Sequence, residues 1–217
     1  MYKYVLFDLD GTLTDSARGI KNCIKYSCER MNLTIPSEEV LDTFLGPPLA
    51  EKYAEVFGLT PEKAQEAVDV YRERFAPIGL FENDVYDGVT EMLRCLKNAG
   101  CILGVATSKP EIYAKKILDH FDLTKYFDVL VGTDLVGGKH DKTDVMKEAL
   151  SKMNPTEKAI MVGDRCFDIE SAHILDVYSL AVTYGYGTNE EIREAKPDFV
   201  AETPLGIADI ILGKKED

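Results

Sequence analysis

Positive charge is in short supply in this chain. Its 217 residues include 25 Lys and Arg against 38 Asp and Glu, a net charge of -13 at pH 7. That balance excludes a basic surface for a nucleic-acid polymer and docking on an anionic membrane. It leaves room for a small anionic substrate, because a local cation overrides the global field. No apolar run approaches the ~20 residues that span a bilayer. The first residues also lack the apolar run and small-residue cleavage site of a secretory signal. Histidine is scarce, and His120, His140 and His173 stand too far apart to pair at metal-ligand spacing. The five cysteines, Cys23, Cys28, Cys95, Cys101 and Cys166, are scattered and form no C-x-x-C pair. A disulfide framework and a zinc site are therefore disfavoured, and free thiols in a reducing cytoplasm are expected. Internal repeats and low-complexity segments are missing as well.

What is present is concentrated at the start. Tyr4-Val5-Leu6-Phe7 has the length and residue types of a buried strand. Asp8 falls where that strand runs out, Asp10 follows, and Gly11 allows a sharp turn. Two carboxylates so close together repel unless a cation sits between them. A hard divalent ion with oxygen ligands, Mg²⁺ above all, fits that need.

The pattern then turns helical. Ser16 is a candidate N-cap, and Ile20, Cys23, Ile24, Ser27, Cys28 and Met31 recur at helical spacing. Pro36-Ser37 opens a second helix, Leu49 to Phe57 forms a third ended by Gly58, and Thr60-Pro61 starts a fourth that runs through Phe75. From Tyr86 onward strands and helices alternate. Strands are expected at 101–106, 129–131, 159–162, 178–182 and 199–200. Helices are expected at 88–98, 110–120, 143–153, 167–175, 190–195 and 205–212. Such alternation predicts an α/β fold, a doubly wound, Rossmann-like parallel sheet covered on both faces. The strand at 4–7 cannot pair inside a helical bundle, so the bundle is an insertion. The expected division is core at 1–14, an inserted α-helical cap at 15–81 and core again at 82–217. Ligands of open α/β sheets bind beyond the carboxyl ends of the strands, where the insertion would act as a lid.

Polar residues just after each strand then matter most. Thr107, Ser108 and Lys109 follow the strand at 101–106, and Pro110 opens a helix whose N–H groups favour an anion. Gly163, Asp164, Arg165, Cys166 and Asp168 follow the strand at 159–162. Lys139 and Lys142 precede the helix at 143. Carboxylates with Mg²⁺ polarise a phosphoryl group, while hydroxyls and lysine neutralise its other oxygens. One carboxylate can attack phosphorus and a second can move protons.

The residues also match a family. Asp8-Leu9-Asp10-Gly11-Thr12-Leu13 resembles the D-x-D-G-T-[LV] signature of the haloacid dehalogenase superfamily. Thr107, Lys142 and Gly163-Asp164-x-x-x-Asp168 resemble its other three motifs, in order, over essentially the whole chain. Gly46-Pro47-Pro48 and Val182-Thr183-Tyr184-Gly185-Tyr186-Gly187 are similar to the phosphoglycolate phosphatase-like branch. The resemblance implies an Mg²⁺-dependent phosphatase acting on a small phosphorylated metabolite, such as phosphoglycolate or a nucleoside monophosphate. It implies Asp8 as nucleophile and Asp10 as general acid/base. Asp8, the backbone carbonyl of Asp10, and Asp164 would hold the metal, and Asp168 would support it. Thr107, Ser108 and Lys142 would bind the phosphoryl oxygens, with Lys139 the alternative to Lys142. A cytoplasmic monomer or weak homodimer is expected. Competing readings are a sugar phosphomutase, an inorganic pyrophosphatase and a non-enzymatic, phospho-accepting receiver-like domain. Arg165 is open between a phosphate contact and an ion pair with Asp168. Tyr184 and Tyr186 are open between the site rim and simple packing.

Overall fold

A computed structural model describes residues 1–135 and 141–213, which form two compact units, one of Met1–Asp15 with the described residues from Val85 onward and one of Ser16–Asp84. Lys139 and His140 lie outside the described residues.

The first unit is built on β1 (Tyr4–Phe7), whose apolar side chains are all buried. Complete burial stabilises each such residue by about 1.5–3 kcal/mol. β2 (Thr14–Asp15) follows, and after the insertion the chain returns through β3 (Asp84–Val85), with which β2 forms a two-stranded sheet. Neither of these two-residue strands was expected, because they are too short to carry a periodicity.

The insertion itself is helical. α1 (Ala17–Arg30) buries Ile20, Cys23, Ile24, Ser27 and Cys28 on one face. α2 (Glu38–Asp42) and α3 (Leu49–Phe57) follow, and α4 (Pro61–Phe75) buries Ala64, Ala67, Val68, Tyr71 and Phe75. Ser37 and Thr60 cap α2 and α4 by accepting the N–H of Val40 and of Lys63. Ser16 occupies the N-cap of α1, but its side chain makes no capping hydrogen bond. Tyr53 is fully buried between Phe44 and Phe57, and its hydroxyl meets that of Ser27. The unit runs to Asp84, beyond the expected end at 81. A 3₁₀ turn at Gly79–Phe81 carries the chain back to α1, where the Gly19 N–H donates to the Glu82 carbonyl at 3.0 Å.

The alternating half then completes the first unit. In chain order it comprises α5 (Val89–Asn98), β4 (Ile102–Pro110), α6 (Glu111–His120), β5 (Val129–Thr133), α7 (Lys142–Met153) and β6 (Ile160–Gly163). α8 (Cys166–Ile174), β7 (Tyr178–Val182), α9 (Asn189–Ala195), β8 (Phe199–Ala201) and α10 (Pro204–Leu212) finish it. The main sheet has six strands in the order β5-β4-β1-β6-β7-β8, with parallel pairing throughout. From β1 the chain winds outward through β4 and β5, then crosses back to β6 on the other side. The order therefore reverses between β1 and β6, the place where a doubly wound sheet binds its ligand.

Most boundaries shift by one or two residues, and two of the shifts bear on the strand tips. β4 continues past Ala106 through a register shift, and Pro110 pairs with Thr133. A residue before proline is biased to extended backbone, so Lys109 stays in strand and the helix starts at Glu111. α7 begins at Lys142, one residue early, because Asp141 caps it by accepting the Asp144 N–H at 2.8 Å.

Candidate active site

The site lies at the strand tips around the β1/β6 crevice. The Asp8 N–H donates to the Val162 carbonyl at 2.9 Å, which extends the β1–β6 ladder by one rung and anchors the residue. The chain then turns at Gly11, with φ at +79°. A Cβ there would lie 2.2 Å from an Asp164 carboxylate oxygen. Only glycine satisfies both the backbone angle and that approach.

Asp8, Asp164 and Asp168 converge, with one carboxylate oxygen from each lying within 4.8 Å of the others. At such separations two like charges repel by roughly 3–4 kcal/mol at an effective dielectric constant of about 20. One lysine offsets part of this. Lys142 places Nζ 2.7 Å from Asp168 Oδ1 and 3.0 Å from Asp8 Oδ1, and only 5% of the residue is exposed. Burial opposes its charge, but Asp168 and then Asp8 outweigh that and raise its pKa.

Asp164 is fully buried, and among the described residues no lysine or arginine pairs with it. Its carboxylate accepts the Thr12 hydroxyl at 3.2 Å and the Tyr186 N–H at 2.8 Å. Burial, reinforced by Asp168 and Asp8, pushes its pKa up to about 8. Asp168 is raised as well, again chiefly by burial, although Lys142 pulls the other way. Three acids gathered against one ammonium, two of them forced upward in pKa, form a donor set that fits a hard divalent cation. The Asp168 carboxyl lies within this cluster, beside the acids that the resemblance assigns to the metal.

Asp10 stands apart from the triad. Its Oδ2 pairs with Lys109 Nζ at 2.7 Å, and its Oδ1 is buried with no hydrogen-bond partner among the described residues. The Thr107 hydroxyl, buried after the expected strand end, accepts the Lys109 N–H at 3.2 Å. Ser108 is exposed and offers its carbonyl to Thr133, so its side chain is not drawn into the cluster.

For Arg165 the ion pair runs to Glu191. Its Nε pairs with Glu191 at 2.8 Å, while its backbone N–H donates to the Asp168 carboxylate and its carbonyl accepts the Asp168 N–H, each at 3.1 Å. The Cys166 N–H donates to the same glutamate at 2.9 Å, and burial pushes the Cys166 thiol up to about 11, so it stays protonated. Tyr184 and Tyr186 are bracing residues. The Tyr184 hydroxyl donates to the Thr12 carbonyl at 2.9 Å, and that of Tyr186 donates to Asp15 at 3.0 Å. Gly185 between them sits so close that a Cβ would lie 2.3 Å from both Asp164 Cβ and the Gly11 carbonyl. Sequence reasoning placed Lys109 after a strand without giving it a role, and gave Glu191 no part. The Tyr-Gly-Tyr-Gly run was the one visible signal for the bracing wall.

A doubly wound α/β sheet with an acidic, lysine-bridged cluster at its switch point places charged side chains where such sheets bind ligands. Comparison with known proteins supplies the family. Residues 5–182 match the haloacid dehalogenase-like hydrolases, and the chain belongs to that family. It is 38% identical over 197 residues to a 5'-nucleotidase of Pseudomonas aeruginosa, covering 90% of this chain and 89% of the other. It is 27% identical to a phosphoglycolate phosphatase of Colwellia psychrerythraea, covering 92% of each. The crystal structure of a predicted phosphatase from Clostridium acetobutylicum superposes with a TM-score of 0.91 at 42% identity, covering 98% of this chain and 99% of that one. The protein is thus a hydrolase of this family, on the fold anticipated from its alternation.

Proposed function

We propose that this enzyme is an Mg²⁺-dependent phosphatase that cleaves a small phosphate monoester through a phosphorylated Asp8. The carrying observation is the asymmetry of Asp8. Its Oδ1 accepts the Leu9 N–H at 2.7 Å and sits 3.0 Å from Lys142 Nζ, which leaves Oδ2 for attack. In this reading Asp8, Asp164 and the Asp10 carbonyl hold Mg²⁺, with Asp168 beside them. When bound, the ion supplies electrophilic polarisation of the phosphoryl group and shields the attacking carboxylate from its charge.

The steps then fall to the chain's own residues. Asp8 Oδ2 attacks phosphorus, and the bond from phosphorus to the leaving oxygen breaks as Asp10 gives that oxygen a proton. Lys142 and the Thr107 hydroxyl neutralise the non-bridging oxygens. In the second half Asp10 takes a proton from water, the water oxygen attacks phosphorus, and the bond to Asp8 breaks. Inorganic phosphate leaves and the Asp8 carboxylate is restored.

Among substrates, the 38% identity to a protein named 5'-nucleotidase supports a nucleoside monophosphate before phosphoglycolate. The helical unit Ser16–Asp84 is in the same reading the inserted cap, which tunes substrate choice. Phosphate release over a panel of nucleoside monophosphates, phosphoglycolate, sugar phosphates and pyrophosphate tests the class. Isomerised sugar phosphate without free phosphate, or preference for pyrophosphate, would overturn it. Substitutions at Gly46-Pro47-Pro48, the turn that leads into α3, should re-rank that panel. An unchanged ranking would count against the cap assignment.

A further inference from the structure

The mechanism above gives no work to the buried lysine beside Asp10. Lys109 is an extended residue near the end of β4, its side chain is 6% exposed, and its Nζ lies 2.7 Å from Asp10 Oδ2. Burying an ammonium is costly without a specific charged partner, so a lysine held here is committed to its site. The two oxygens of Asp10 are consequently unlike. Oδ2 is engaged by Lys109, whereas Oδ1 is buried and has no hydrogen-bond partner among the described residues. A carboxylate that moves one proton onto one leaving oxygen needs a single oxygen presented in a fixed direction.

We propose that Lys109 is a positioning residue that pins Asp10 through Oδ2, so that Oδ1 serves the leaving group. The inference rests on the phosphatase reading and adds to it a residue and an oxygen. The backbone supports the same role. The register shift after Ala106 lets Lys109 remain extended beside the site, and the Lys109 N–H is tied to the Thr107 hydroxyl. Lys109 therefore links a residue assigned to phosphate binding with the one assigned to proton transfer.

Leaving-group dependence separates positioning from simple structural support. An alkyl phosphate needs its leaving oxygen protonated, whereas p-nitrophenyl phosphate, with an acidic phenol, does so far less. With Mg²⁺ saturating, Lys109→Met should lower kcat on an alkyl phosphate by roughly 10²-fold, the usual scale of acid–base assistance. The loss on p-nitrophenyl phosphate should be about tenfold smaller, and KM should hold within about threefold. In an Asp10→Asn background the same change should cost nothing further, and Lys109→Arg should recover part of the alkyl activity. Equal losses on both substrates, a loss confined to KM, or an additive loss in the Asp10→Asn background would overturn the role. Should Lys109→Met fail to fold, the milder Lys109→Gln, checked by its melting temperature, answers the same comparison. A wild-type enzyme inactive on both esters would instead refute the phosphatase reading, which keeps the two failures apart.

Discussion

The two units treat charge in opposite ways. At the strand tips of the α/β unit, the side chains of Lys142, Asp168 and Lys109 are 4%, 2% and 6% exposed. In the helical unit most ion pairs keep at least one partner open to water, as between Lys63 and Glu66, at 60% and 52% exposure. Even Arg74 and Glu82, joined by two hydrogen bonds of 2.7 and 2.9 Å, remain partly open. Buried charges cost solvation and must be held by neighbours, whereas exposed pairs contribute little. The first unit accepts unfavourable electrostatics where phosphoryl chemistry needs them. The second takes its order from caps and from apolar faces.

The sharpest way to break that contrast is at Asp8. Asp8→Asn should reduce turnover at least ~10³-fold if Asp8 is the proposed nucleophile, while removal of one like charge leaves the fold intact. Near-normal turnover would sink the covalent mechanism. Lys142→Met comes next. It leaves Asp8 and Asp168 facing each other in a buried site and should cost about 3–5 kcal/mol in denaturant unfolding without metal. A change below about 1 kcal/mol would place Lys142 among the dispensable charges. Chelation probes the same cluster. Saturating Mg²⁺ should raise stability by about 2.7 kcal/mol at one hundred times its dissociation constant, and Asp164→Ala should abolish that increment. Retention of the increment by the variant would relocate the ion.

The helical unit should respond weakly. Hydrogen bonding to Arg74 holds the Glu82 carboxyl below its ordinary pKa. A depressed folded-state value adds stability that is present above the unfolded carboxylate pKa and is lost as pH falls through the folded one. Arg74→Met should therefore remove at most about 1 kcal/mol near pH 7 and flatten the acid limb of the stability curve. An unaltered acid limb would mean that the pair contributes nothing. Lys63→Ala, at a pair exposed on both sides, should leave the melting temperature unchanged. A clear shift there would erase the contrast between the units.

Much of this architecture was legible because it is locally encoded. Thr60-Pro61 sets the start of α4, Gly58 with φ of +63° closes α3, and the four buried residues of β1 read as a strand. The alternation after Tyr86 implied a parallel sheet, and with it the edge at which Asp8, Thr107, Lys142 and Asp164 had to gather. Boundaries slipped where a cap or a proline outweighed the apolar pattern, at Asp141 before α7 and at Pro110 after β4. The two-residue strands were invisible because pairing, not composition, creates them.

The sequence alone settled the family, the doubly wound fold and the acidic residues at its strand ends, since these follow from motif and periodicity. The tertiary structure decided which side chains meet. Arg165 pairs with Glu191, Asp168 joins the acidic triad, Tyr186 braces Asp164, and Lys109 grips Asp10. Each of these contacts joins residues that no local pattern relates. They exist because parallel strands from distant parts of the chain end at one edge, where Lys142 and Lys109 meet acids while buried Asp164 is held by neutral donors.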